Sequence, residues 1–124
     1  MKNSSNSSGQ DIINDWLTKL RISDKLIIVE GIKDRKALEG LDIPGSRIMT
    51  MKKPIYQVVE EIAEQHKEAI ILTDFDKKGK ELYGRLKKDL LRHGVRIDSY
   101  FREFLQKNTK LSHIEGIKTY FSRL

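Results

Sequence analysis

The segment Ala69-Ile70-Ile71-Leu72-Thr73-Asp74-Phe75-Asp76 is an unbroken apolar run that stops at two carboxylates one residue apart. A strand with one wet face would alternate apolar and polar residues. A run without alternation suits a strand buried on both faces, as in a parallel sheet covered by helices. Leu26-Ile27-Ile28-Val29 has the same character and breaks off as sharply at Glu30-Gly31. In open α/β sheets reactive groups collect at the carboxyl ends of the strands. Glu30 and Asp74, far apart in sequence, are therefore expected to meet at the ends of adjacent strands.

The flanking sequence supplies the helices such a sheet needs. Ile12, Ile13, Trp16, Leu17 and Leu20 recur at helical spacing, with Asp11 in the first turn where it suits the helix dipole. Residues 33–39 read as a short helix, and 47–51 as a strand after the Pro44-Gly45 turn. Pro54 suits a first helical turn, and Ile55, Val58, Val59, Ile62 and Ala63 make one apolar face to about His66. A further helix spans 77–92, with Leu82, Leu86 and Leu90 inward and Gly94 as a left-handed cap. Residues 95–97 form a short last strand, and 99–105 and 112–122 two closing helices. This alternation predicts an α/β fold: a compact, Rossmann-like open sheet of about four parallel strands flanked by helices.

At 124 residues the chain fits one domain. A disordered polar tail is expected over 1–10, where the sequence is MKNSSNSSGQ, and a single domain over 11–124. No stretch approaches the roughly 20 apolar residues of a membrane span, and no apolar segment follows Lys2 as in an export signal. Cysteine is absent, which excludes disulfide scaffolds, thiolate zinc sites and cysteine nucleophiles and fits a reducing compartment. A cytoplasmic protein without a membrane partner is expected. The formal net charge is +6. Residues 77–102 hold nine basic side chains (Lys77, Lys78, Lys80, Arg85, Lys87, Lys88, Arg92, Arg96 and Arg102) against three acidic ones (Glu81, Asp89 and Asp98), so this segment carries the whole excess. A concentrated basic stripe attracts polyanions by releasing their counterions, and nucleic acid is the usual one. A lysine-rich solvated helix face is the other reading of the same charges.

Glu30, Asp74 and Asp76 offer oxygen ligands only, which favours magnesium or manganese over zinc. Magnesium needs only one or two protein carboxylates, with water and substrate phosphate oxygens completing its shell. A purely structural assignment also exists, in which Asp74 caps the following helix and Asp76 enriches its first turn. Glu30 at a second strand end argues against it, because acidic groups gathered at one edge repel unless a cation or a proton intervenes. Gly79 lies in the first turn of the 77–92 helix, where glycine costs roughly 1 kcal/mol relative to alanine. That cost suggests a close backbone approach, as by a phosphate at the helix N-terminus helped by Lys77, Lys78 and Lys80, with a tolerated surface glycine as the other reading. His66 and His93 suit helix ends, and His113 is expected to be structural. Glu115 would join the acidic groups only if the last helix folded back over the strand ends, which is not expected.

Two of these segments resemble a known family. Val29-Glu30-Gly31, with Asp34 three residues on and Ala37-Leu38 after it, resembles the first motif of the Toprim domain, and Thr73-Asp74-Phe75-Asp76-Lys77-Lys78-Gly79-Lys80 resembles the second. Toprim is shared by type IA and type II topoisomerases, bacterial-type primases, the ribonuclease that matures 5S rRNA, and small stand-alone archaeal proteins. The last group is nearest in length, and the resemblance covers about residues 24–100. It implies a Toprim-like fold and magnesium-dependent phosphodiester chemistry on nucleic acid, with manganese as a substitute ion. By this resemblance Glu30 is the general acid or base and a further metal ligand, Asp74 and Asp76 hold the magnesium, and Gly31 and Gly79 keep the turns tight. Asp34 matches the motif as a helix cap or anchor. Gly31, Gly79, Lys77, Lys78, Lys80, Lys87, Lys88 and Arg92 make up the expected phosphate or nucleic-acid contacts.

The departures narrow the activity. Topoisomerase motifs usually carry a glutamate where this chain has Lys80, with Glu81 one place later. Tyr56, Tyr83, Tyr100 and Tyr120 fall at helix positions explained by packing, and the chain has no room for a topoisomerase gate or a primase zinc module. A nuclease or RNA-processing activity is expected, with a protein partner to supply specificity. The alternative is a non-catalytic nucleic-acid or ribonucleoprotein binding module that keeps the metal site, and DNA and RNA are both open as partners. A haloacid-dehalogenase-type phosphatase would want Thr or Val where Lys78 stands. A phosphoacceptor receiver domain would want a lysine at the end of the run 95–97.

Overall fold

A computed structural model describes residues 9–124. Of the tail expected over 1–10, residues 1–8 lie outside the described residues, and Gly9 and Gln10 open the first helix. That helix, α1 (Gly9–Ile22), buries Ile13, Trp16, Leu17 and Leu20, whereas Ile12, which shares their periodicity, is exposed. Then follow β1 (Leu26–Val29), α2 (Ile32–Glu39), β2 (Ile48–Thr50), α3 (Ile55–Gln65), β3 (Glu68–Ile71), α4 (Lys77–Arg92), β4 (Arg96–Ile97), α5 (Tyr100–Asn108) and α6 (Ile117–Ser122). No helix among the described residues is long and apolar enough to cross a membrane.

The four strands form one all-parallel sheet in the order β2-β1-β3-β4. The two apolar runs are thus direct neighbours at its centre, with Ile27 opposite Ile70 and Ile28 opposite Ile71. Their side chains divide between two cores. Ile27, Val29, Ile70 and Leu72 enter the core under α1, α2, α5 and α6, while Leu26, Ile28, Ala69 and Ile71 enter the core under α3 and α4. Two apolar faces are the reason these strands show no alternation. On the first face Trp16 is fully buried, its indole N–H donating to Phe101 O at 3.1 Å and its ring meeting Phe101 and Phe121 edge-on. Gly94 takes φ +81° after α4, the left-handed cap expected there.

Element boundaries move where polar partners intervene. The strand expected over 47–51 is β2, preceded by a 3-10 turn over Gly45–Arg47. The Arg47 guanidinium donates from that turn to Leu20 O and Lys25 O, tying it to the chain that leads into β1. The helix expected over 112–122 is shorter. Ser112 and Ile114 commit their backbone groups to the turn after β3, so a 3-10 turn (Ile114–Gly116) and then α6 follow.

Candidate metal centre

The acidic groups stand at two adjacent strand ends. Beyond β1, Glu30 Oε2 accepts the Asp74 amide N–H at 2.8 Å. The chain then enters α2 through Gly31, whose N–H donates to Asp34 Oδ2 at 3.0 Å, so Asp34 caps its own helix. Asp34 is only 6% exposed. Burial pushes its carboxyl pKa up, the Gly31 N–H pulls it down, and the Asp74, Glu30 and Glu115 carboxylates push it up again. Asp34 therefore feels three carboxylates gathered at this edge, a repulsion that a bound cation relieves.

Beyond β3, the ladder continues through the Leu72 N–H to Ile28 O before the chain turns at Asp74-Phe75-Asp76. Asp74 is half-buried, and its Oδ1 accepts the Ile114 N–H at 2.8 Å. Asp76 is exposed and is the N-cap of α4: its Oδ1 accepts the Gly79 N–H at 2.8 Å, and its Oδ2 lies 3.3 Å from His113 Nε2. The Gly79 N–H above all, aided by His113 and Lys78 and opposed by slight burial, holds the Asp76 carboxyl below the usual carboxylate range. One ligand atom from each of Asp74, Asp76 and His113 lies within 4.8 Å of the others. Two carboxylates suit magnesium or manganese, whereas the imidazole is a softer donor than magnesium favours. The residues thus fit a magnesium ion on Asp74 and Asp76, with His113 able to join for manganese. Glu30 stands beside this set, on the Asp74 amide, and outside it as a donor.

The cap of α4 is Asp76 and not Asp74, and capping engages only its Oδ1, leaving Asp76 Oδ2 facing His113. Gly79 also has a different reason from the one expected. A Cβ there would lie 2.0 Å from Asp74 O, so the close approach is that of the helix on its own preceding turn, further tied by Thr73 Oγ1 donating to Gly79 O. Gly31 is extended at φ −149°, and a Cβ would meet nothing within 4 Å, so no tight turn requires glycine there and open space lies beside Glu30. The segment 112–116 does fold back over the strand ends: Ser112 O accepts the Phe75 N–H, and His113 reaches Asp76. His113 is therefore part of the centre, and Glu115 adds to its field.

Lys77, Lys78, Lys80, Lys88 and Arg92 are exposed along α4. Lys87 is half-buried, its ammonium 5.7 Å from the Tyr83 ring centroid. Arg102 leaves the stripe altogether, since it is only 4% exposed and points under the turn after β3. Its place beside Phe101 and one helical turn before Leu105, both buried, is the sequence signal that marks it as inward. His113 has no such local signal, because only long-range packing brings it to Asp76.

The Toprim domain model matches residues 25–114 of this chain. A UPF0292 protein of Methanocaldococcus jannaschii is 32% identical over 108 residues, covering 85% of this chain and 84% of that protein. A UPF0292 protein of Pyrococcus abyssi is 37% identical over 106 residues, covering 86% and 79%. Among solved structures, a protein from Aquifex aeolicus superposes with a TM-score of 0.76 at 29% identity, covering 83% of this chain and 95% of that one.

Proposed function

Because the chain belongs to the Toprim domain family, alongside the small archaeal UPF0292 proteins, we propose that it hydrolyses phosphodiester bonds of nucleic acid at the Asp74–Asp76 edge with magnesium bound there. Family membership by itself gives a metal-binding, nucleic-acid-related function in general. The observation that carries the finer reading is the contact of Glu30 with the backbone of Asp74, whose own carboxylate pairs with Asp76 as a cation site. It gives the carboxylates different work. Asp74 and Asp76 hold the ion, which when bound supplies positive charge to phosphate oxygens. Glu30, fixed through one oxygen, keeps the other for the proton of an attacking water. As the water oxygen bonds to phosphorus and the bond to the leaving oxygen breaks, that proton passes to Glu30. Lys77 and Lys78 extend from the first turn of α4, where the helix dipole favours an anion, and Lys80, Lys88 and Arg92 continue the basic face for the flanking phosphates.

The test is incubation with labelled single-stranded RNA, single-stranded DNA and duplexes in magnesium, manganese or EDTA. Cleavage that EDTA abolishes is expected, and Glu30→Gln should lower turnover by about 10²–10⁴-fold while still binding magnesium. Wild-type protein inert on all substrates, with Glu30→Gln and Asp76→Asn binding nucleic acid as wild type does, would instead make this a binding module.

A further inference from the structure

Arg102 is the only cationic side chain among the buried residues described, and it makes no ion pair with a carboxylate there. A buried guanidinium ordinarily needs a paired charge to offset its desolvation. Here its Nη1 donates to Thr73 O and its Nη2 to Asp74 O, the latter at 3.0 Å. Phe75 and Tyr83 close over it, with the guanidinium carbon 4.4 and 4.6 Å from their ring centroids. Burial lowers its pKa, while Tyr83, Glu30 and Asp74 act the other way, so the acidic edge is the diffuse counter-charge.

Both accepting carbonyls belong to the turn that carries Asp74. Fixing two consecutive peptide planes fixes the direction in which the Asp74 side chain leaves the backbone. A planar fork with stacked faces can do this, and the point charge of a lysine cannot. The remaining sides of the turn are held by Glu30 on the Asp74 amide, by Ser112 on the Phe75 amide and by Gly79 against the Asp74 carbonyl.

We propose that Arg102 is a positioning residue of the metal centre, whose fork on the Thr73 and Asp74 carbonyls aims the Asp74 carboxylate at the cation. The proposal rests on the reading above only in taking Asp74 and Asp76 as cation ligands. Its electrostatic and geometric consequences have opposite signs. Removing a positive charge beside carboxylates should tighten binding of a divalent cation, whereas releasing the Asp74 turn should weaken it.

The experiment is calorimetric titration of magnesium and of manganese into wild type, Arg102→Lys and Arg102→Gln, each checked for folding by circular dichroism and thermal melting. Both variants should lose about 10–100-fold in affinity, the range for groups that orient metal ligands. Lysine keeps the charge and should restore little. Unchanged or tighter binding in either folded variant overturns the proposal, as does full recovery with lysine. If neither variant folds, Arg102 is a core residue only and the proposal falls. Wild-type protein that binds neither ion overturns the functional reading and this one together, whereas wild-type binding with unaffected variants overturns this one alone.

Discussion

Two glycines of the same helix should respond to alanine with opposite sign. At Gly79 the new methyl carbon would stand 2.0 Å from Asp74 O, 2.5 Å from its carbonyl carbon and 2.9 Å from its Cα. All three are backbone atoms, so no side chain can swing aside, and helix or turn must retreat by roughly 1 Å. Such overpacking costs about 3 kcal/mol at the upper part of its range. Alanine returns about 1 kcal/mol of helix propensity, leaving a net loss of about 2 kcal/mol. At Gly84, also within α4 but exposed, a Cβ meets nothing within 4 Å, and alanine should gain roughly 0.5–1 kcal/mol. For a domain of this size about 4 °C accompanies each kcal/mol. Gly79→Ala should therefore melt about 8 °C lower, and Gly84→Ala up to about 4 °C higher. The retreat at Gly79 also moves the Asp74 carbonyl against the Asp76 cap, so magnesium affinity should fall in that variant and hold in the other. Urea unfolding and calorimetric titration of both proteins check this. A Gly79→Ala protein as stable as wild type and binding magnesium normally would refute the close-approach argument.

Other outcomes follow from the same geometry. Asp76→Asn should weaken magnesium binding so that excess ion partly restores activity, yet leave α4 stable, since Asn is as good an N-cap as Asp; Asp76→Ala should in addition lose about 1 kcal/mol in denaturant titration. Asp34 has a pKa raised by burial and by its acidic neighbours, so folding binds its proton more tightly and stability falls as pH rises from its unfolded towards its folded pKa. Asp34→Asn should therefore melt above wild type at pH 7 without divalent ions, with the gap closing in acid and shrinking when magnesium is added. Asp76, whose pKa is lowered, contributes stability that is present above its unfolded pKa and lost as pH falls through its folded one. Replacing Lys88 and Arg92 by Ala should reduce the salt slope of nucleic-acid binding by about 0.7–0.9 per lost phosphate contact, whereas Lys87→Ala, half-buried against Tyr83, should change it less. An unchanged slope in the Lys88 and Arg92 variant would leave α4 as a solvated face.

The sheet was legible because its central strands bury both faces, which writes itself as unbroken apolar runs, and because the runs end in Glu30 and Asp74. The pairing of β1 with β3 follows from those same runs. Hidden from sequence was whatever depends on two backbones meeting. The reason for Gly79 is a carbonyl five residues earlier, which no periodicity encodes. His113 and the 112–116 segment reach the centre through single hydrogen bonds to Asp76, Phe75 and Asp74, and these also shorten the last helix. Charge counted along the chain places Arg102 in the basic stripe, although it is buried. Its burial depends on the inward face of α5, where its neighbours Phe101 and Leu105 already pointed.

The turn at Asp74-Phe75-Asp76 owns few of the bonds that hold it. Apart from the Gly79 and Lys80 amides of its own helix, its partners come from Glu30, Arg102, Ser112, His113 and Ile114. During synthesis a chain folds from its N-terminus as it emerges. A nascent chain that ends at α4 can pair its central strands while Asp74 still lacks the Arg102 and Ile114 contacts that orient it. Competence to hold a cation would arrive with the docking of the final segment. Ion binding would then serve as a certificate that the closing segment has docked onto the strand ends.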